Sequence, residues 1–352
     1  MTLRRYEVVT FICPIFVTGG TEAVHQACLA LNEAGQPAQI AYVNEGATIA
    51  RDGNVLHCHA PPRNICLDAF ANSRPVVATR VDLRPDCLVI VPEVFALTFD
   101  DFLPATFAVW WLSVDNMFHH NPAMLDPATR DRFFARREFL HLYQSHYARA
   151  FLRQMQAAQL FALGDVTSEV FTAEVPRRPN QGRAILFNPA KGAALAERFF
   201  QLHPELRPFP ITGMSKAEMA TVFRANGIYI DFGTLPGKDR IPREAAACGA
   251  LCFLHNVGAG RDSADFPVPD FFRFDEAEIM SGALGARVRA AQAAPDVFWP
   301  QQESFRQGIF WEDASFHDEV ARLLGAYRPG VRDPKDTRAA HGLGSATVLA
   351  VA

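Results

Sequence analysis

Short apolar, β-branched runs alternate with helical stretches twice along this 352-residue chain, and that alternation leaves few folds open. In the first half it predicts strands at Val8 to Cys13, Gln39 to Val43, Leu88 to Val91 and Ala108 to Leu112, with a further short one near Leu160 to Leu163. Between the first two, Thr21 to Asn32 places Ala23, Ala27, Leu29 and Leu31 at helical spacing behind Gly19-Gly20. Thr172 to Arg183, TAEVPRRPNQGR, breaks the pattern with prolines and a glycine and reads as a linker. The series then restarts, with strands at Ala184 to Phe187, Phe209 to Thr212, Ile228 to Ile230 and Leu251 to Leu254. The helices between them are Ala193 to Leu202, Lys216 to Ala225 and Arg243 to Cys248. Repeated βα units imply mostly parallel sheets, hence an α/β protein of two doubly wound domains with a cleft between them. The expected division is 1–171, a linker 172–183, 184–312, a helix 313–328 and an aperiodic, mobile tail 329–352. Glu276 to Ala293 is expected to form one helix.

Composition sets the class. Hydrophobic residues make up 49% of the chain and charged ones 20%, as in soluble globular proteins. A formal net charge of −4 gives no general attraction to nucleic acid, so any phosphate ligand must meet a local basic cluster. Seven cysteines without CxxC spacing read as buried reduced thiols, which points to the cytoplasm. The arginine-preceded apolar run VVTFICPIFV is interrupted by Pro14 and Gly19-Gly20 and reads as a first strand rather than a signal segment. No uninterrupted apolar run is long enough for a membrane span, while 29 phenylalanines keep peripheral contact with the inner face of a membrane open.

The chemistry gathers in Ile228 to Asp262, IYIDFGTLPGKDRIPREAAACGALCFLHNVGAGRD. A strand runs into a loop holding Gly233, Gly237, Lys238, Asp239 and Arg240, and Pro242 is expected to open a helix beginning Arg243-Glu244. Cationic side chains and free backbone N–H groups at such a turn suit a diphosphate. Lys191-Gly192, which follows another strand of the same half, would face the same space.

The text Pro242-Arg243-Glu244-Ala245-Ala246-Ala247-Cys248-Gly249, with the strand and glycine loop behind it, resembles the nucleotide-sugar half of GT-B glycosyltransferases, in particular their large retaining group. That group carries two glutamates eight positions apart, and here Pro236 stands eight positions before Glu244, so the first glutamate is absent. The resemblance covers about Ala184 to Asp275 well, and the first half through its layout and the GGTE and WWLSVDN texts. It implies two Rossmann-like domains facing across a cleft, with the late helix crossing back toward the first. It further implies transfer of a sugar from a nucleoside-diphosphate sugar to an acceptor hydroxyl. The donor would be a co-substrate with UDP or GDP as its nucleotide, the acceptor a surface glycan, polysaccharide or lipid-linked sugar, and neither cofactor nor metal is expected. Lys191, Lys238 and Arg240 would stabilise the leaving diphosphate, Gly237 and Asp239 would belong to the substrate-binding turn, and Glu244 would hold the ribose.

In the first half, Gly19 and Gly20 of Gly19-Gly20-Thr21-Glu22 would let a substrate approach the backbone, with Glu22 and His25 as weaker candidates. Asp115, in the turn after the strand of Trp110-Trp111, is a candidate general base, and either tryptophan could stack on a sugar. Glu93 ends the strand VIVPE and is a similar candidate. The pairs His119-His120 and His141/His146 lack the acid that would complete a zinc set, and Asp100-Asp101 lacks the preceding apolar strand of a metal-binding DxD. Two other readings stay open: a nucleotide-sugar epimerase or hydrolase of the same fold, and a catalytically silent carbohydrate- or nucleotide-binding module.

Overall fold

The computed structural model describes residues 6–43, 48–58, 64–100, 107–326 and 348–350. Most of the tail read as mobile, together with residues 1–5 and Asp101, lies outside the described residues. The chain divides into two compact units. The first comprises Met1–Gln144, Arg149–Asp165 and Phe316–Ala352, and the second Ser145–Ala148 and Val166–Ser315.

The first unit is built on strands β1 (Val9–Pro14), β2 (Ala38–Val43), β3 (Thr48–Asp52), β4 (Val55–Cys58), β5 (Arg80–Asp82), β6 (Leu88–Pro92), β7 (Phe107–Trp111), β8 (Leu140–Tyr143) and β9 (Gln159–Ala162). Six of them form a parallel sheet in the order β2-β1-β6-β7-β8-β9. Strands β1, β6 and β7 are buried almost throughout, which is why they read as unbroken apolar runs. The helix Gly19–Glu33 follows β1; Thr18 caps it in a reciprocal box with Thr21, and Ala23, Val24, Ala27 and Leu31 turn inward. Strand β8 was not foreseen. Neither was the antiparallel sheet of β3, β4 and β5, in which Asp52 pairs with Val55 across the tight Gly53-Asn54 turn. Val348–Ala350, at the end of the segment read as tail, forms a further strand pairing antiparallel with β3.

The second unit holds β10 (Gly182–Phe187), β11 (Arg207–Pro210), β12 (Asn226–Asp231), β13 (Leu251–His255) and β14 (Arg273–Phe274), all parallel, in the order β11-β10-β12-β13-β14. Its core draws Ile185, Leu186, Ile228, Tyr229, Ile230, Phe253 and Leu254 from the strands. Phe199 and Phe223 come from the helices Ala193–Leu202 and Lys216–Ala225. Two expectations are corrected. The stretch 276–293 is two helices, Glu276–Met280 and Ala283–Ala293, because Gly282 adopts φ 80° and ends the first. The next helix of interest starts at Arg240, not Arg243: Pro242 sits inside its first turn, where a missing N–H costs nothing because first-turn amides have no intrahelical partner. No helix among the described residues is long and apolar enough to cross a membrane.

Candidate active site

In an open parallel sheet a ligand settles beyond the carboxyl ends of the strands, where the winding direction reverses. In the second unit β10 has β11 on one side and β12 on the other, so the reversal falls between β10 and β12. The turn after β10 carries Lys191 and Gly192, and the turn after β12 carries Phe232 to Asp239. These two turns touch. A Cβ on Gly192, whose φ is 67°, would stand 2.2 Å from the Phe232 carbonyl oxygen, and one on Gly233 would stand 2.4 Å from Lys191 Cβ. Only glycine admits so close an approach of backbone to backbone. The turn after β12 also meets the glycine loop after β13: Ala259 N–H donates to the Leu235 carbonyl at 2.7 Å, and Leu235 pairs with Gly258 as an isolated bridge.

This close approach brings charged groups together. Lys191 Nζ lies 2.6 Å from Asp239 Oδ1. Burial pulls the Lys191 ammonium toward losing its proton, yet Asp239 and Asp231 outweigh it and hold the group above its ordinary value. Asp231, buried at the end of β12, accepts the Tyr229 hydroxyl at 2.8 Å and the Gly233 N–H at 3.0 Å. Burial, reinforced by the nearby Asp239 charge, pushes its acid up to about 6.

Two of the expected cations are held in ion pairs. Lys191 meets Asp239, and Lys238 Nζ meets Glu312 Oε1 at 2.9 Å, so both reach the site already paired. Arg240 opens the helix Arg240–Ala247 and is 9% exposed. Gly237 is buried in the same turn and its carbonyl accepts the Asp239 N–H at 2.9 Å. Glu244 is 5% exposed and is the fifth residue of that helix. The helix-terminus argument for a carboxylate there therefore does not apply, because its residue lies beyond the first turn. Arg243 is fully buried and bonded to Glu312. Sequence reasoning missed Asp231 and Glu312. Asp231 left a trace as the one acid ending an apolar strand shortly before a glycine; Glu312 left none.

In the first unit the winding reverses between β1 and β6, and Gly19, Gly20 and Glu93 flank that point. A Cβ on Gly20 would come within 3.3 Å of Leu112 Cδ1, and the Leu112 N–H donates to Glu93 Oε2 at 3.0 Å. Burial pushes the Glu93 acid up to about 8 against the pull of that N–H, so it carries its proton at neutral pH. Asp115 is half-buried in the first turn of the helix Val114–His120, whose cap Ser113 accepts the Asn116 N–H at 3.2 Å. Glu22 is half-buried, and His25 is buried between the Thr21 carbonyl at 2.6 Å and the Tyr42 hydroxyl at 2.7 Å.

Trp110 and Trp111 offer no surface for a sugar to stack on. Both are 0% exposed, and they donate their indole N–H groups to the Leu163 carbonyl at 2.9 Å and to His141 Nδ1 at 3.0 Å. His146 spends its backbone N–H on Asp265 Oδ1 at 2.7 Å. Among the described residues no group of three or more His, Cys, Asp or Glu side chains is placed to hold a metal ion.

No family model and no curated protein matches this sequence. Solved structures do resemble it. The sucrose-phosphate synthase of Thermosynechococcus elongatus aligns with a TM-score of 0.57 at 14% identity, over 90% of this chain and 98% of that one. A point mutant of S. aureus TarM, in complex with fondaparinux, α-GlcNAc-glycerol and UDP, aligns at 0.59 with 8% identity over 91% and 100%. The catalytic domain of starch synthase IV from Arabidopsis thaliana, bound to ADP and acarbose, aligns at 0.51 with 10% identity over 92% and 100%. The shared property is the fold, two Rossmann-like units of the GT-B type.

Proposed function

We propose that this protein is a glycosyltransferase that moves a sugar from a nucleoside-diphosphate sugar to an acceptor hydroxyl. The observation that carries the reading is the meeting of Lys191, Asp239 and the glycine turns at the point where the second sheet reverses its winding. Two of the resembling structures hold UDP or ADP, and such a diphosphate suits glycine turns beside an ammonium.

The chain's own groups would divide the work as follows. Lys191 donates to the leaving diphosphate from an ammonium that stays charged despite burial, and Lys238 and Arg240 add positive potential from the adjoining turn. Glu244 accepts from ribose hydroxyls. In the first unit Asp115 takes the acceptor proton, while Gly19 and Gly20 leave room for the acceptor and Glu93, protonated, acts as a donor. We assign no cofactor and no resident metal; the nucleotide sugar is a co-substrate. Cytoplasmic assembly of a surface glycan or polysaccharide, on a glycan or lipid-linked acceptor at the inner face of the membrane, is the setting we propose.

Isothermal titration with UDP, GDP and ADP tests the donor half. Binding of one of them, weakened in Lys191→Met and in Glu244→Ala, is expected; no binding by any of the three overturns the reading. Product analysis with and without an acceptor separates transfer from hydrolysis or epimerisation.

A further inference from the structure

Among the described residues Arg243 is the one guanidinium in the second unit that is completely enclosed, at 0% exposure, and its bonds run in two directions. On one side Nη1 donates to both Glu312 oxygens, each at 2.9 Å, and to Thr167 Oγ1 at 3.3 Å. On the other, Nε donates to the Asp239 carbonyl at 3.2 Å and Nη2 to the Lys238 carbonyl at 3.1 Å. Glu312, 5% exposed, is itself fixed from several sides, taking the Thr167 N–H at 2.9 Å, the Thr167 hydroxyl at 2.7 Å and Lys238 Nζ at 2.9 Å.

An arginine buried in this way is a costly means of holding a fold together, because well-packed apolar residues of the same volume stabilise as well or better. What no apolar side chain can do is grip two successive carbonyls. Those carbonyls belong to the residues just ahead of the helix Arg240–Ala247, and one of them is Asp239, whose carboxylate meets Lys191. A chain of contacts therefore runs from Glu312 through Arg243 to the Asp239 backbone, and from the Asp239 side chain to Lys191.

We propose that Arg243, anchored by Glu312, is a positioning residue that sets the place of Asp239 and thereby the direction in which Lys191 presents its ammonium. The inference rests on the donor-site reading above. Arg243 touches no substrate; it acts through Asp239. Lysine in its place keeps the charge but cannot bridge Glu312 and two carbonyls at once, since it lacks the planar fork.

The test is a double-mutant cycle read by titration with UDP and ADP on the full chain, with thermal melting alongside. Arg243→Lys and Asp239→Asn are each expected to weaken nucleotide binding about tenfold, and the double variant to be no weaker than Asp239→Asn alone, since coupled neighbours are non-additive. A purely structural role would lower the melting temperature and give losses that multiply in the double variant. Multiplying losses overturn the proposal, as does unchanged affinity in Arg243→Lys or tighter binding in Asp239→Asn, which would make Asp239 a competitor for Lys191. Should Arg243→Lys fail to fold, Glu312→Asp, which keeps the charge and draws the guanidinium back, enters the same cycle under the same criteria. A wild type that binds neither nucleotide overturns the donor-site reading and this proposal with it; multiplying losses in a wild type that does bind overturn the proposal alone.

Discussion

Trp111 donates its indole N–H to His141 Nδ1 at 3.0 Å, which fixes the imidazole proton on Nε2 and leaves the ring neutral among Phe133 and Phe134. Burial carries the His141 value from 6.5 down to about 3. At this position the unfolded chain therefore binds a proton that the folded chain refuses throughout that window, and the histidine's own contribution to stability rises with pH across it. The difference in denaturant midpoint between the wild type and His141→Gln should move in favour of the wild type as pH rises through this range. A difference independent of pH would show that the ring accepts its proton in place.

Glu93 has the opposite sign. Its folded-state value is raised by burial from 4.5 to about 8, so the folded chain holds a proton that the unfolded chain has released. The contribution is complete below 4.5 and disappears as pH rises through the raised value. Glu93→Gln, which is permanently neutral, should lose less stability than the wild type between those limits. Equal slopes of the two stability–pH curves would contradict the assignment.

Gly192→Ala probes the contact between the turns. Placing a side chain at φ 67° costs about 1–2 kcal/mol by backbone sterics alone. The new Cβ would also meet the Phe232 carbonyl at 2.2 Å, so the turn must retreat and take Lys191 with it. The expected outcome is a melting temperature lowered by several degrees, with nucleotide affinity falling further than the stability loss explains. Alanine tolerated without either change would mean that the two turns are free to separate.

Lys191→Met removes the ammonium from beside two carboxylates. Loss of a charge-assisted bond to a diphosphate corresponds to roughly ten- to a hundredfold weaker binding. The same substitution removes the attraction that holds the Asp231 acid down, so this buried group should bind its proton still more tightly than the value of about 6 it has beside the lysine. Carboxyl titration followed by NMR reads the second effect independently of any ligand.

Much of the architecture is written locally. The helices Ala193–Leu202 and Lys216–Ala225 have the expected limits, the second because Ser215 and Glu218 form a capping box. Strands β1, β6 and β7 are apolar on both faces and cannot be mistaken for surface. Strand β8 was hidden because LHLY is short and its histidine looks polar, although that ring is core. The hairpin of β3 and β4 had a signal in Gly53-Asn54 that went unused. At the site, the glycines and Lys191 were legible as types, whereas the pairing of each lysine was not. Lys238 and Arg243 both depend on Glu312, which in the case of Arg243 stands 69 positions away, and no local pattern announces a partner at that range. The helix start was misplaced for a related reason: Pro242 resembles a first helical residue whether it occupies the first or the third position.

The shared carboxylate at position 312 has a practical consequence for anyone exchanging second units between proteins of this architecture. A graft cut at the end of β14, where the parallel sheet is already complete, would carry Lys238 and Arg243 into the hybrid without the acid that anchors them. The ionic partnership stays intact only in a piece that reaches both Thr167 and Glu312, well beyond the last strand.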